Sequence, residues 1–86
     1  MPRFLACHTV KGITHEALEQ VAAASQQDPD VHGVASWSNL TEGVLHCVFD
    51  APSRDALAAW FEKMKVPYDR ITRVEVEGHA GRLRDL

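Results

Sequence analysis

The spacing of apolar positions along the chain switches between a period of two and a period near 3.6, and each switch marks an element. Arg3 to His8 alternates, with Phe4, Ala6 and His8 on one face and Leu5 and Cys7 on the other, which predicts a short strand. Thr14 is a good N-cap for a helix from about His15 to Gln27. Ala17, Leu18, Val21 and Ala22 form its inner stripe, with Glu16, Glu19, Gln20 and Gln27 outside. Asp28-Pro29-Asp30 stops it, because a residue before proline resists the helical region. Val31 to Trp37 predicts a second strand, in which Gly33 marks a bulge or a close backbone approach. Ser38 to Gly43 is a hairpin loop and Val44 to Phe49 a third strand. Ala51-Pro52-Ser53 turns the chain, Ser53 caps the next helix, and Asp55 sits in its first turn. Ala56, Leu57, Trp60, Phe61 and Met64 give that second helix a wide apolar stripe, with Trp60 and Phe61 as core residues. Val66-Pro67 ends it. Ile71 to Glu77 reads as the last strand, and residues 78–86 as a polar, loosely held tail.

The order β-α-β-β-α-β predicts an α+β chain of the ferredoxin-like kind. Its two crossovers interleave into a four-stranded antiparallel sheet with both helices on one face, over residues 1–77. A βαβ unit plus a separate hairpin is the rival, and it buries less surface. The predicted architecture leaves the second sheet face bare. On strand three, Val44, His46 and Val48 alternate with Leu45, Cys47 and Phe49, so both faces carry apolar residues. A strand apolar on both faces is usually buried on both. The simplest cover is a second copy, which predicts a homodimer through the open sheet face.

Length and charge narrow the function. At 86 residues the chain is one small domain with a thin core. A net charge of −3 with nine basic residues gives no nucleic-acid footprint. No apolar run approaches the roughly 20 residues of a membrane helix. The start, MPRFLACH, lacks the apolar core of a signal peptide, which predicts a cytoplasmic protein. The two cysteines lie in separate predicted strands, and in that compartment they read as core residues or ligands before a disulfide.

Five histidines are the unusual feature of the composition. Interleaving sets strand one beside strand three, bringing Cys7 and His8 near His46 and Cys47, with His32 at the start of strand two. Imidazole and thiolate together suit nickel, copper or zinc. The spacing contains no CxxC and no HxxxH, and neighbours in a strand face apart, so each pair offers one ligand to a given site. The plainer readings are core packing for both cysteines, a dimer contact for His46, and solvated side chains for His15 and His79. Trp37 reads as the edge of a mouth or an interface. No phosphate loop, nucleophile elbow or paired carboxylate is present. Enzyme chemistry reduces to His8 or His46 as a general base, or Cys47 paired with His8 or His32 across strands. Small isomerases and cofactor-free oxygenases on ferredoxin-like dimers supply a fold-level analogy.

PRFLACH, KGIT opening a helix, VH with a Trp five residues beyond, GVLHC, DAPS and VPYDRI together resemble a small bacterial family of nickel-binding-protein-like, ferredoxin-like dimers. The resemblance runs from about Pro2 to Val76. It implies a homodimer that binds nickel or another divalent transition metal through histidines and a cysteine on the sheet and helix two. The first-strand histidine falls on His8, the third-strand cysteine on Cys47, and the histidine opening strand two on His32. The family's helix-two histidine falls on Phe61, and the one before the helix-ending proline on Val66. Neither binds metal. Losing one ligand removes several kcal/mol from a site worth about 10–16 kcal/mol for structural zinc. The resemblance therefore leaves three readings. Either His46 or Cys7 replaces the missing group, the pocket takes a small molecule, or the scaffold is a dimerisation module.

Overall fold

The computed structural model describes residues 1–86. Its elements are β1 (Arg3–Thr9), α1 (His15–Ala24), β2 (His32–Asn39), β3 (Val44–Asp50), α2 (Arg54–Lys63), β4 (Arg70–Arg73), β5 (Val76–His79) and β6 (Arg82–Asp85). The chain is α+β. The first four strands form one sheet in the order β2-β3-β1-β4, antiparallel at every pairing, and β5 and β6 form a separate hairpin. No helix is long and apolar enough to cross a membrane.

Both helix starts follow the sequence. Thr14 accepts the Ala17 N–H and Ser53 the Ala56 N–H, each at 3.1 Å, satisfying an orphan donor of the first turn. α1 ends three residues earlier than its periodicity predicts. Ser25 turns its hydroxyl back onto the Ala22 carbonyl at 2.7 Å, and the Asp28 carboxylate accepts the N–H groups of Asp30 and Val31, both at 2.9 Å. Those local bonds compete with another helical turn. Gly33 marks a register shift in β2 against β3, where an added Cβ would collide with the Ser25 side chain. Gly43, at φ +71°, lies where a Cβ would come within 2.8 Å of Lys11 Cα and the Val10 carbonyl oxygen, so the loop closes only on glycine.

Nine buried residues form the core: Phe4, Ala6, Val31, Phe49, Ala51, Leu57, Trp60, Phe61 and Ile71. Trp60 and Phe61 are buried, as their spacing predicts. α2 supplies three of the nine, whereas α1 buries none of its residues fully and offers only Val21 and Ala24 to the cluster's margin.

The C-terminal region departs from the sequence reading. β4 stops at Arg73, and residues 78–86, expected as a loosely held tail, fold mostly into the β5–β6 hairpin. Ala80 and Gly81 both take positive φ at its turn, the backbone a tight hairpin requires. Charge ties it back. Arg3 bonds Asp50 through two nitrogens at 2.9 and 3.0 Å, and reaches Glu77 with its third at 2.7 Å. Glu77 also accepts from Arg84 at 3.0 Å. Spacing in a sequence cannot register an ion pair between residues 74 positions apart.

Candidate functional site

The turn after α2 positions the site. Met64 ends the helix and Lys65 takes the left-handed conformation at φ +58°. The Lys65 N–H donates to the Glu62 carbonyl at 3.1 Å and the Val66 N–H to the Phe61 carbonyl at 2.8 Å, the paired bonds of a Schellman end. Pro67 follows, and its carbonyl accepts a hydrogen bond from His8 Nδ1 at 2.9 Å. A carbonyl only accepts, so Nδ1 carries the proton and Nε2 keeps its lone pair.

His8 is 2% exposed. Its ring meets Phe61 edge to face, with centroids 4.9 Å apart at 88°. Phe61 is also packed on Phe49, Trp60 and Tyr68 at 5.3, 5.8 and 5.6 Å, so its orientation is fixed from several sides. Burial lowers the His8 pKa below 6.5, outweighing the Pro67 bond and the nearby Asp69 charge. The imidazole is therefore neutral at pH 7. Beside it Cys47 is half-buried, and desolvation, with the Cys7 charge second, pushes its thiol up to about 11.

Because α1 stands off the sheet, a cleft remains beneath it. A cavity of about 420 Å³ opens between the β1–α1 loop, α1 and the turn after α2. Its walls include His8, Ile13, Leu18, Cys47, Phe61 and Val66. A second hollow of about 270 Å³ lies where α1 crosses β2, and it shares Leu18, Val21, Cys47 and Phe49 with the first. Both volumes fall near the lower end of those that hold small molecules.

The four candidate ligands do not converge. His8 pairs with Leu45 and Cys47 with Ala6, so His8 and Cys47 are diagonal neighbours on the α2-covered face. His46 lies on the opposite face, directly across from Cys7. His32 pairs with Asp50, five residues along β3 from Leu45, or roughly 17 Å. No three His, Cys, Asp or Glu side chains cluster closely enough to hold a metal ion. On the cleft side the donors stop at His8 Nε2 and Cys47 Sγ, and the ring packed against His8 there is the apolar Phe61. The chain's own residues there do not make up a metal site. The cysteines are free thiols, and their strand positions put them on opposite faces. His15 is exposed beside Glu19, His79 is exposed near Glu77, and Trp37 is 62% exposed on the open face. Sequence reading missed the Pro67 carbonyl, because Val66-Pro67 signals only a helix stop.

The sequence profile described as "Nickel responsive protein SCO4226-like" matches residues 4–74. The chain belongs to the SCO4226-like family. The crystal structure of SCO4226 from Streptomyces coelicolor A3(2) superposes with a TM-score of 0.74 at 26% identity, over 88% of this chain and 99% of that one. No curated protein matches the sequence. Family membership covers all six elements from β1 to β4, and the β5–β6 hairpin lies outside the matched residues.

Proposed function

We propose that this chain is a cytoplasmic homodimer of ferredoxin-like subunits that binds a small, largely apolar molecule in the cleft beneath α1. Both helices cover one sheet face, and the second copy takes the other. One observation carries the reading: a buried imidazole, neutral and locked by Pro67, faces an apolar cleft with an unused acceptor nitrogen. A few fixed polar groups in an apolar hollow are what orient a small ligand. Nε2 accepts one hydrogen bond, so the ligand class is an apolar body bearing one hydroxyl or N–H. The test uses a series of 4-alkylphenols followed by thermal melting. The expected result is saturable stabilisation, about 2.7 kcal/mol at a hundredfold excess over Kd. His8→Leu, which keeps the apolar volume and removes the acceptor, should abolish it. Equal stabilisation of the His8→Leu variant, or none of the parent chain by any phenol, sinks the proposal.

A second reading is nickel or another divalent ion on His8 and Cys47. The family's nickel responsiveness favours it, and so does the Pro67 bond, since metal-bound imidazoles commonly hand their other N–H to a carbonyl. It needs further ligands from outside the chain, because Phe61 and Val66 supply none. Nickel calorimetry separates the two: Cys47→Ala removes metal heat on this reading and leaves phenol binding intact on the first.

A further inference from the structure

The charge around the cleft beneath α1 runs against that of the chain. Twelve acidic and nine basic residues make up the sequence, yet the cleft is lined by two lysines and by no carboxylate. Lys11 comes from the β1–α1 loop and Lys65 from the turn after α2. Both are exposed, which places them at the solvent end of a cleft whose inner wall holds the buried His8. Neither lysine takes part in an ion pair. Asp69, whose charge reaches His8, accepts the Thr9 hydroxyl at 2.7 Å, and Glu62 lines a separate hollow beside Lys65.

The backbone under each lysine is set before any ligand arrives. Lys65 follows the C-cap of α2 at φ +58°, the position where helices that end this way usually carry glycine. Glycine would relieve the strain, having no Cβ. A side chain held in that region calls for a function of the side chain. Lys11 is packed on the buried Gly43, where an added Cβ would come within 2.8 Å of Lys11 Cα, and the Val10 N–H donates to the Gly43 carbonyl at 2.8 Å. Ordering costs on binding therefore fall on the two side chains and spare the loops.

We propose that the ligand of this cleft is two-headed, with a hydroxyl or N–H on His8 Nε2 at the inner end and a carboxylate between Lys11 and Lys65 at the outer end. The inference rests on the small-molecule reading of the cleft stated above and names the acid class within it. The polarity of the two ends follows from their chemistry. Nε2 of the neutral imidazole is an acceptor, and a carboxylate is acceptor-only, so the acid turns away from His8 and toward the ammonium groups. The rim holds no arginine fork and the sequence no phosphate loop, so a single carboxylate suits it more than a phosphate. A volume of about 420 Å³ takes one ring and a short chain, which makes a hydroxyaryl alkanoic acid the fitting class.

The experiment is calorimetric titration of the full chain with 4-hydroxyphenylalkanoates of increasing chain length, each beside its carboxamide, which keeps the shape and loses the charge. Two exposed charge pairs should make the best acid bind about tenfold tighter than its amide in about 20 mM salt, and only about twofold tighter in about 0.5 M salt. The matching 4-methoxyphenyl acid, which lacks the donor, should bind about tenfold more weakly. Lys65→Gly should melt no lower than the parent, its backbone relieved, and should cut the acid-to-amide ratio by about threefold. Adding Lys11→Gln should bring that ratio to about one, whereas Lys65→Arg should keep it. An acid no tighter than its amide, a ratio unmoved in the double variant, or a methoxy acid as tight as the hydroxy acid overturns this inference and leaves the small-molecule cleft standing. Neither heat nor a melting shift with acid, amide or 4-alkylphenol overturns both.

Discussion

The two helices are each ten residues long and each begins at a hydroxyl cap, yet they do different jobs. α2 carries Leu57, Trp60 and Phe61 into the core, and their size closes the space between helix and sheet. α1 presents Ala17, Leu18, Val21 and Ala24, and none of them is fully buried. Small side chains on one helix and large ones on the other leave the sheet sealed at one end and hollow at the other. What that contrast teaches is where the hollow lies: beside the helix whose side chains fill the core, beneath the one whose side chains do not. His8 stands at the boundary, braced by Phe61 from α2 and by the carbonyl that follows it, with the α1 cleft in front.

The sharpest way to break this comparison is to cut one anchor on each helix. Phe61→Ala should cost about 3–5 kcal/mol in urea unfolding, because a fully buried ring leaves a cavity. Val21→Ala, half-buried beside the cleft, should cost about 1 kcal/mol. Equal losses would mean that α1 is packed as firmly as α2. Cys47 tests the cleft chemically. With its thiol held up at about 11, alkylation by iodoacetamide at pH 8 should run on the order of a hundredfold slower than for an unperturbed thiol, and recover in urea. Fast labelling of Cys47 in the folded chain would show that the cleft is wet.

His8 supplies a pH window. Its folded pKa lies below the unfolded 6.5, so the native state binds fewer protons. The associated stability is fully present above about pH 6.5 and is lost as the pH falls from there through the folded value. The Asp28, Asp50 and Glu77 carboxylates are also lowered, and their contributions fade only at more acidic pH, below their ordinary values of 3.8 and 4.5. Urea midpoints at pH 7.5 and 5.5 should therefore fall in the parent chain and fall less in His8→Leu; parallel falls would remove His8 from the account. The smallest effect belongs to the hairpin. Arg3→Ala should speed amide exchange and proteolysis in residues 76–85 while barely moving the melting temperature. A large drop in melting would make the hairpin part of the cooperative unit.

Much of the scaffold was legible in the linear pattern. Alternation in Phe4 to His8 and Val44 to Phe49 marked the central strands, and the stripe on α2 marked the buried side chains. Thr14 and Ser53 marked both caps. These are local properties, written within one or two turns of chain. The hairpin was not legible, because Gly78 and Gly81 in a polar stretch read as slack chain until Arg3 is folded against Glu77. Nor was the fate of the histidines. His8 and His46 carry the same side chain on neighbouring strands, and only the register makes one a buried, neutral acceptor and the other half of an exposed pair with Cys7.

By itself, then, the amino-acid order determined the six elements from β1 to β4, their caps, their family and which side chains α2 would bury. Tertiary structure alone decided that α1 stands off the sheet, that Pro67 fixes the tautomer of His8, and that residues 76–85 fold back as a hairpin. The reason is physical: periodicity records each residue's orientation relative to its own backbone, whereas burial, hydrogen-bond partners and charge neighbours depend on segments that the sequence holds far apart.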